Sequence, residues 1–311
     1  MAETDYQLII VGGGPAGLTA GLYAARDKMN VVLLEKGAAG GQVLNTDWVD
    51  NYPGFPEGIS GFDLAEKMAA QARRFGLTTR LCEVKSMDLA GPVKKILLEG
   101  GETLTSRAVI LATGARPNQL GIPGEKELTG KGVSYCATCD GPFYRGLEIA
   151  VVGGGDTAIQ EAVHLTKFAS KVMVIHRRDQ LRATKVIQEK ALANDRIEFI
   201  WDTVVTEVMG STEVDGLRLK NVKSGAETTL AVKGCFVLIG IRPNNEMLPF
   251  DQLDNEDGFI KTDKEMRTSQ PGVMAAGDIC SKEVRQIVNA AGEGAVACLA
   301  AENYLSTLQM T

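Results

Sequence analysis

A glycine-rich turn between an apolar strand and a helix occurs twice in the sequence, and it constrains the fold more than any other feature. The first copy joins the run 8–11 to Gly12, Gly14 and Gly17, and the second joins the run 147–152 to Gly153 and Gly155. Such a turn predicts a β-α-β unit of a parallel sheet, in which the helix begins at the carboxyl end of the strand. The chain therefore predicts two Rossmann-like α/β units.

The first copy has the features of a dinucleotide site. Gly12 permits a tight turn, Gly14 lets a pyrophosphate approach the backbone, and Gly17 lets the helix pack closely on the strand. The next strand, 31–34, ends at Glu35, whose carboxylate would accept hydrogen bonds from a ribose and repel a 2′-phosphate. This pattern predicts FAD or NAD; the alternative is that Glu35 is a solvated acid at a strand end.

The second copy differs at the position that contacts the ribose. The spacing that joins Gly12 to Glu35 joins Gly153 to His176, and Arg177 and Arg178 follow at once. Arginine binds phosphate oxygens in bidentate fashion, and an arginine near this position accommodates a 2′-phosphate. The second copy therefore predicts NADPH, and the first then takes FAD. The alternative for the two arginines is a solvated strand end.

Two cysteines, Cys136 and Cys139, lie between the two glycine-rich turns, and Asp140 follows them directly. Their spacing allows a small disulfide ring that opens and closes. Beside two dinucleotide sites, such a pair indicates electron transfer from nicotinamide to a disulfide. A zinc half-site is the other reading, but zinc needs about four ligands. The chain offers no second close pair and only two histidines, His164 and His176.

The remaining cysteines stand alone in apolar or strand-like contexts, where we expect buried, inert thiols. They are Cys82, Cys235, Cys280 and Cys298. A single close pair indicates a redox-active site in a cytoplasmic protein better than it indicates a structural disulfide framework.

Composition and charge exclude several classes of function. The 311 residues suggest about two domains. The net charge of −6, with no basic tract, argues against a nucleic-acid partner. No apolar run reaches the ~20 residues that span a bilayer, and the first strand begins with no signal peptide before it. We therefore expect a cytoplasmic protein with no membrane segment and no metal.

The rest of the chain supplies the other parts of the two units. Residues 37–60 lack periodicity and read as a long loop, and 61–75 read as an amphipathic helix. A buried strand, 108–112, ends at Thr113, and another, 235–239, ends at Gly240. Residues 272–276 form a short strand that returns to the first unit. A helix then runs to about residue 308, and its start could stabilise negative charge on a reduced flavin.

Three segments together carry a family resemblance. They are Cys136–Gly141, His176–Arg182 with its three arginines, and Gly272–Asp278. Over essentially its full length the chain resembles the low-molecular-weight, bacterial-type thioredoxin reductases, which are FAD- and NADPH-dependent pyridine nucleotide-disulfide oxidoreductases. The resemblance implies two three-layer ββα domains: an FAD domain formed by 1–117 and 246–311, and an NADPH domain, 118–245, inserted into it. It also implies a homodimer with thioredoxin as protein substrate.

The resemblance further implies roles for individual residues. Cys136 attacks the thioredoxin disulfide, Cys139 lies against the flavin, and Asp140 protonates a thiolate leaving group. The positions expected to bind FAD are Gly12, Gly14, Pro15, Ala16, Gly17, Glu35, Gln42, Asn51, Thr113, Gly114, Gly277, Asp278, Arg285 and Gln286. The positions expected to bind NADPH are Gly153, Gly155, Asp156, Thr157, Ala158, His176, Arg177, Arg178 and Arg182.

The sequence departs from the family at two places. Thr157 replaces the more usual serine, and Pro142 precedes Phe143 where two aromatic residues are common. The second departure could alter which thioredoxin docks.

Two other functions use the same residues. One is an NADPH-dependent flavoprotein disulfide reductase or oxidase that serves a small molecule or a peroxiredoxin system. The other is a flavin-binding redox sensor without turnover.

The cysteine pair and the NADPH turn both fall in the inserted domain, whereas the flavin falls in the other. We therefore expect a domain rotation between half-reactions, about the crossings 115–119 and 241–246.

Overall fold

The computed structural model describes residues 3–46 and 48–309. The chain forms two compact units. Unit 1 combines the chain up to Arg116 with the chain from Arg242 onward, and unit 2 is Pro117–Ile241. The sequence-based boundary at residue 245 differs from this division by the segment 242–245. That segment belongs to unit 1, where Asn244 donates its backbone N–H to the carbonyl of Gly114 (2.9 Å) and its side-chain amide to the carbonyl of Thr113 (2.7 Å).

Strand–helix–strand segments alternate with runs of consecutive strands along the chain. The strands are β1 (Tyr6–Val11), β2 (Val31–Glu35), β3 (Trp48–Val49), β4 (Ile59–Ser60), β5 (Thr78–Leu81), β6 (Val84–Asp88), β7 (Lys94–Leu98), β8 (Thr103–Leu111), β9 (Ala115–Pro117), β10 (Val133–Ser134), β11 (Glu148–Val152), β12 (Lys171–Ile175), β13 (Ile197–Ile200), β14 (Thr203–Met209), β15 (Gly216–Asn221), β16 (Glu227–Ala231), β17 (Gly234–Val237), β18 (Ile241–Pro243), β19 (Asn255–Glu256), β20 (Phe259–Ile260) and β21 (Val273–Ala275). The α-helices are α1 (Pro15–Arg26), α2 (Gly61–Arg74), α3 (Ala137–Asp140), α4 (Asp156–Leu165), α5 (Lys185–Leu192) and α6 (Ile287–Gln309). Two 3₁₀ turns span Gly41–Asn45 and Gly141–Tyr144.

Unit 1 is built on a sheet in the order β5-β2-β1-β8-β7-β6, with β21 paired to the second half of β8. Strands β5, β2, β1, β8 and β21 are parallel, and β6 and β7 form an antiparallel hairpin beside them. Strand β1 is apolar without interruption from Leu8 to Val11, where both of its faces are covered. Leu8 and Ile10 pack with residues of α1 and α6, whereas Ile9 and Val11 pack with residues of β6 and β7.

Unit 2 repeats this plan on a smaller scale. Its parallel sheet has the order β10-β17-β11-β12-β13, and an antiparallel sheet is formed by β14-β15-β16. Ala150 and Val152 face the antiparallel sheet, whereas Ile149 and Val151 face α4. Each unit thus has helices on one face of a parallel sheet and antiparallel strands on the other. The predicted fold class, two Rossmann-like three-layer α/β units, is confirmed.

Several local predictions were wrong. The stretch 37–60, read as an unstructured loop, contains a 3₁₀ turn and the β3–β4 hairpin. The cysteine loop is a turn of helix, α3. Helix α5 was missed because it buries only Ala191 completely and so has no apolar stripe. Among the described residues, no helix has both the length and the apolar composition needed to cross a membrane.

Candidate active site

Cys136 and Cys139 form a disulfide at the carboxyl edge of the unit 2 parallel sheet, and their Cα atoms are 5.3 Å apart. Strand β10 ends at Ser134, and helix α3 begins at Ala137. Cys136 is the N-cap of that helix, and its Sγ accepts the backbone N–H of Cys139 at 3.2 Å. The Ser134 hydroxyl accepts the N–H of Cys136 at 3.1 Å. A thiolate at Cys136 would therefore face a backbone donor, which stabilises its negative charge.

The acid Asp140 ends helix α3, and its backbone N–H donates to the carbonyl of Cys136 at 3.1 Å. Its side chain is half-buried, as are both cysteines, so the whole motif is accessible from solvent. Gly141 comes next and packs against α4: an added Cβ would lie 3.1–3.2 Å from side-chain carbons of Leu165 and Phe168. A larger residue at this position would require the Leu165 and Phe168 side chains to shift by a few tenths of an ångström.

The four other cysteines form no disulfide. Burial raises the thiol pKa of Cys235, Cys280 and Cys298 to about 12, so these thiols stay protonated at neutral pH. The prediction of full burial was wrong for Cys82, which is half-buried; desolvation still raises its pKa.

The first glycine-rich turn leaves the carboxyl end of β1. Gly12 has a φ of +106°, and a Cβ there would overlap the carbonyl oxygen of Ala112. A Cβ on Gly17 would overlap the carbonyl of Gly12, whereas one on Gly14 would meet no atom within 4 Å. Gly14 caps α1, and Pro15 and Ala16 form its first turn. The open side of Gly14 and the free N–H groups of α1 therefore leave room for a phosphate.

Glu35 makes contacts that its position in the sequence did not reveal. One carboxylate oxygen accepts the N–H of Gly13 at 2.6 Å, and the other accepts the N–H of Gly37 at 2.9 Å. The side chain thus holds the turn in place. Each carboxylate oxygen can accept a further bond, because it has more than one lone pair. Glu35 can therefore serve both the turn and a ribose.

Buried polar atoms without a hydrogen-bond partner lie at the same edge of the unit 1 sheet. Thr113 follows β8 and Asp278 follows β21, and both strands run parallel to β1. Within the described residues, Thr113 Oγ1, Asp278 Oδ1 and Arg285 Nε are buried with no hydrogen-bond partner. Burial raises the pKa of the Asp278 carboxyl. Buried polar groups are almost always hydrogen-bonded, so this edge is shaped to receive a polar ligand.

Helix α6 brings the last segment to this edge. A Cβ on Gly294 would overlap the carbonyl of Ala16, so α1 and α6 cross in close contact. Gly277 has a φ of +81° and donates its N–H to Glu293 of α6 at 2.8 Å, while Lys282 pairs with the same carboxylate oxygen at 2.6 Å. Roles for Glu293 and Lys282 were not predicted from the sequence. The only feature that points to Glu293 is the pair of glycines, Gly292 and Gly294, on either side of it.

The other residues predicted to bind FAD lie in the loops of unit 1. Gln286 stands just before α6 and accepts the side-chain amide of Asn51 at 3.1 Å. Gln42 belongs to the 3₁₀ turn after β2 and is exposed. Gly114 follows Thr113 with a φ of +70°. Unit 1 thus gathers the predicted residues from four separate stretches of the chain. The arrangement has the chemistry that a dinucleotide would need, because a glycine-rich turn, an acid at a strand end and polar atoms without hydrogen-bond partners share one sheet edge.

The second glycine-rich turn leaves β11 in unit 2. Gly153 has a φ of +156°, and a Cβ there would lie 2.5 Å from the carbonyl oxygen of Leu238. A Cβ on Gly155, the N-cap of α4, would have the Arg182 guanidinium as its nearest neighbour, at 3.9 Å. Thr157 and Ala158 continue the first turn of α4, and Ala158 is buried. The turn is therefore open on the side where Arg182 lies.

His176 and Asp156 both hold this turn; the His176 side chain is buried, whereas Asp156 is exposed. The His176 ring is buried against Gly154, and its Nε2 lies 3.1 Å from the carbonyl of Gln180. Burial lowers the pKa of His176, which favours the neutral ring. Asp156 accepts the N–H of Thr184 at 2.6 Å. The direct structural role of both side chains is to fix the loop that carries the arginines.

Arg177, Arg178 and Arg182 are exposed. None of the ion pairs found in the described part of the chain involves them. Arg182 also donates its backbone N–H to the carbonyl of Gly154 at 2.8 Å, so the loop and the turn form one body. Exposed guanidinium groups beside a helix N-terminus make a site for a ligand with two separated phosphates.

The sequence profile of the pyridine nucleotide-disulphide oxidoreductase family matches residues 6–294. This chain belongs to that family. The Cys136–Cys139 disulfide is the kind of group that the family description names. Among the described residues, no group of three or more histidine, cysteine or acidic side chains is placed to hold a metal ion.

Several known proteins resemble this chain over nearly its whole length. The thioredoxin reductase of Bacillus subtilis (strain 168) is 43% identical over 99% of this chain and 98% of its own length. The bifunctional thioredoxin reductase/thioredoxin of Mycobacterium leprae (strain TN) is 47% identical over 98% of this chain and 67% of its own. The crystal structure of thioredoxin reductase from Streptococcus pyogenes MGAS5005 gives a TM-score of 0.94 at 45% identity, and the match covers 98% of this chain and 100% of that one.

Proposed function

We propose that this enzyme is a thioredoxin-disulfide reductase, which uses NADPH, FAD and the Cys136/Cys139 pair to reduce thioredoxin. The observation that carries the proposal is the half-buried disulfide at the cap of α3, in the same unit as the glycine turn and its arginines. The similarity to relatives named thioredoxin reductase supports the choice of substrate. So does the relative whose name joins thioredoxin to the reductase.

FAD is the cofactor we assign to unit 1, where it would accept an electron pair from a nicotinamide and pass it to a disulfide. Gly14 and the start of α1 would hold its pyrophosphate, and Glu35 its ribose. Thr113, Asp278 and Arg285 would use their unpaired atoms toward it. The start of α6, just after Gln286, would place a positive helix end near bound negative charge.

NADPH is the nucleotide we assign to unit 2. The turn Gly153–Gly155 would hold its pyrophosphate, and Arg177, Arg178 and Arg182 its 2′-phosphate. The first copy has an acid at the equivalent position, which would repel that phosphate. The acid in the first copy and the arginines in the second would therefore give the two sites different nucleotide preferences.

The chemistry at the cysteines follows from their positions. In the reduced enzyme the Cys136 thiolate attacks one sulfur of the thioredoxin disulfide and forms a mixed disulfide, and the other thioredoxin sulfur leaves as a thiolate. The Cys139 thiolate then attacks Cys136 Sγ, which re-forms the Cys136–Cys139 disulfide and releases reduced thioredoxin. Asp140 supplies a proton to a departing thiolate. Two electrons pass to thioredoxin, and its two sulfurs end as thiols, one with the proton from Asp140 and the other with a proton from solvent.

Electron delivery requires a movement, because the cysteine pair and the arginine site lie in one unit while the flavin site lies in the other. One face of the flavin cannot serve both a nicotinamide and a disulfide in one rigid arrangement when both groups lie on the same unit. We place the hinges at the crossings 115–119 and 241–246. There Asn118 donates its backbone N–H to Gly240 within unit 2, and Asn244 donates to Gly114 within unit 1. Short element ends of this kind are common hinges.

The enzyme is expected to be a cytoplasmic homodimer. Helix α6 presents an exposed apolar stripe formed by Val288, Val296 and Leu299. Such a stripe is unusual for the outer face of a helix in a monomer. Light scattering on the purified protein tests the dimer, and a mass of one chain would contradict it.

The test of the proposed function compares electron acceptors. The purified enzyme, with its flavin, is mixed with NADPH alone and with oxidised thioredoxin, a small-molecule disulfide, a peroxiredoxin system or oxygen. We expect rapid NADPH oxidation only with thioredoxin, and formation of thioredoxin thiols in equal amount. Faster turnover with another acceptor would assign the enzyme to that acceptor, and flavin binding without turnover would make the protein a sensor.

A further inference from the structure

The loop that carries the three arginines also carries an acid. Asp179 directly follows Arg178 and lies three residues before Arg182. Unpaired, its carboxylate would repel any phosphate that the arginines bind. Its Oδ2 lies 2.8 Å from the ammonium group of Lys223, so it is paired. Lys223 comes from the turn between β15 and β16, 44 residues further along the chain.

The same ammonium pairs with a second acid, Asp202, at 3.0 Å. Asp202 lies in the turn between β13 and β14 with a φ of +51°, and its side chain is only 18% exposed. Its backbone N–H donates to the carbonyl of Arg178 at 3.2 Å, and its carbonyl accepts the N–H of Val222 at 2.6 Å. Asp202 therefore stands directly behind the arginine loop, and the loop and the β15–β16 turn are joined through it.

The position of Lys223 does not depend on its own side chain. Asn221 accepts the backbone N–H groups of Lys223 and Ser224 with its side-chain oxygen, at 3.0 and 2.9 Å. The turn would keep its shape if the lysine side chain were replaced. The arginine loop is likewise fixed by backbone bonds from Arg182 and Ala183 to the carbonyl of Gly154. Replacing the Lys223 side chain would therefore alter mainly the local charge and leave the shape of the turn and of the arginine loop unchanged.

We propose that Lys223 is a specificity-determining residue for the phosphorylated nucleotide, because it neutralises Asp179 and Asp202 behind the arginines that receive the 2′-phosphate. The proposal rests on the assignment of NADPH to unit 2. Lys223 is a positioning residue in this scheme: it acts through the two acids and keeps the local field positive.

The side chains of Asp179 and Lys223 are both ionised at neutral pH. The hydrogen bond from Lys223 lowers the pKa of Asp179, and the same bond raises the pKa of Lys223. Both side chains are more than half exposed, so the coupling is that of a surface pair. We therefore expect loss of Lys223 to weaken binding of a 2′-phosphate by about two- to fivefold at low salt. The effect should fade at 1 M salt, where charges are screened beyond about 3 Å.

The experiment compares two probes that differ only in the 2′-phosphate: adenosine 2′,5′-bisphosphate and adenosine 5′-monophosphate. Their dissociation constants are measured by titration calorimetry on the flavin-loaded enzyme and on Lys223→Gln. Lys220→Gln is the matched control, since Lys220 lies in the same hairpin and faces Glu227 at 3.9 Å, away from the arginine loop's acids. Asp179→Asn, alone and combined with Lys223→Gln, tests the route of the effect.

We expect Lys223→Gln to weaken the bisphosphate alone, Lys220→Gln to change neither probe, and the cost of Lys223→Gln to shrink in the Asp179→Asn background. Equal weakening of both probes, or of neither, would overturn the proposal. So would an undiminished cost in the Asp179→Asn background, because Lys223 would then contact the phosphate directly. If the unaltered enzyme fails to prefer the bisphosphate, the assignment of NADPH itself is wrong.

Discussion

In the proposed function, single side chains decide which nucleotide each glycine-rich turn accepts. Glu35 closes the first turn with bonds to Gly13 and Gly37, and it would present an acid to a ribose. Arg177 and Arg178 stand at the corresponding place in the second copy and are exposed. A carboxylate and a guanidinium select opposite charges at otherwise similar turns.

Replacing Arg177 or Arg178 with glutamine should therefore raise the KM for NADPH far more than the KM for NADH. A hydrogen bond to a charged group contributes roughly 1.5–3 kcal/mol, so tenfold or more is expected for each arginine. Steady-state kinetics with both nucleotides measure the ratio. Arg218→Gln serves as control, because Arg218 pairs with Glu207 on the antiparallel sheet. Equal use of NADPH and NADH by the unaltered enzyme would refute the role of the arginines.

His176 should make the stability of the protein depend on pH. Burial lowers the pKa of its ring in the folded protein, whereas the unfolded chain takes up this proton near pH 6.5. Below that pH the unfolded state binds more protons, so the free energy of unfolding falls as the pH is lowered. His176→Gln should show a shallower fall between pH 7 and pH 5 in urea unfolding. If the free energy of unfolding falls equally steeply with pH in both proteins, His176 is not the source of the pH dependence.

At the level of elements, helices α1 and α6 cross where two small residues meet. Gly294 of α6 faces the carbonyl of Ala16 in the first turn of α1, beside the first glycine-rich turn. Gly292 lies in the same helix, and an added Cβ there would meet no atom within 4 Å. Two glycines of one helix thus have opposite surroundings.

Alanine at these two positions should act in opposite directions. Gly292→Ala should stabilise the protein by about 0.5–1 kcal/mol, because alanine favours a helix over glycine. Gly294→Ala should destabilise it by about 1–3 kcal/mol through overpacking and should weaken flavin retention. Urea unfolding and the flavin absorbance of the purified variants measure both effects. If both substitutions change the free energy of unfolding in the same direction, α1 and α6 do not cross as described.

The elements that could best be predicted from the sequence are those whose structure follows from residues within the element itself. Strand β1 could be predicted because both its faces are buried, and the turn at Gly12 because only glycine adopts its φ without strain. Lys94 shows the limit of such reasoning. Its position at the start of β7 suggests exposure, yet it is 1% exposed, and its ammonium donates to the carbonyls of Leu89, Gly91 and Pro271.

Contacts between distant residues explain the rest of what sequence reasoning missed. Lys223 reaches Asp179 across 44 residues, and Pro271 is 177 residues from Lys94. Nothing in the local pattern around either lysine indicates its partner. Thr113 and Asp278 follow β8 and β21, which are distant in the chain and lie at one sheet edge only because these two strands are parallel neighbours. Family resemblance, rather than periodicity, supplied these two positions.

For the whole molecule, the division into two units separates the steps of the proposed reaction. Unit 2 carries both the disulfide and the arginine site, and unit 1 carries the predicted flavin site. The proposed rotation about the two crossings would let each group of unit 2 reach the flavin in turn.

A covalent cross-link between unit 1 and unit 2 should therefore block the complete cycle. We expect a locked protein to permit flavin reduction by NADPH or exchange between flavin and disulfide, but not both. Anaerobic stopped-flow spectroscopy follows the two steps separately, and protein treated with a monofunctional form of the same reagent is the control. Thioredoxin reduction by the locked protein at the unaltered rate would make the rotation unnecessary.

The most direct test of the electron path compares the unaltered enzyme with Cys136→Ser and Cys139→Ser. Thioredoxin-dependent NADPH oxidation and flavin reduction by NADPH are measured on the same preparations. Because a single thiol cannot re-form the disulfide, we expect both variants to lose thioredoxin reduction while NADPH still reduces their flavin. Cys136→Ser should also show a long-wavelength charge-transfer band from the Cys139 thiolate beside oxidised flavin. Full thioredoxin reduction by either variant would contradict the proposed path.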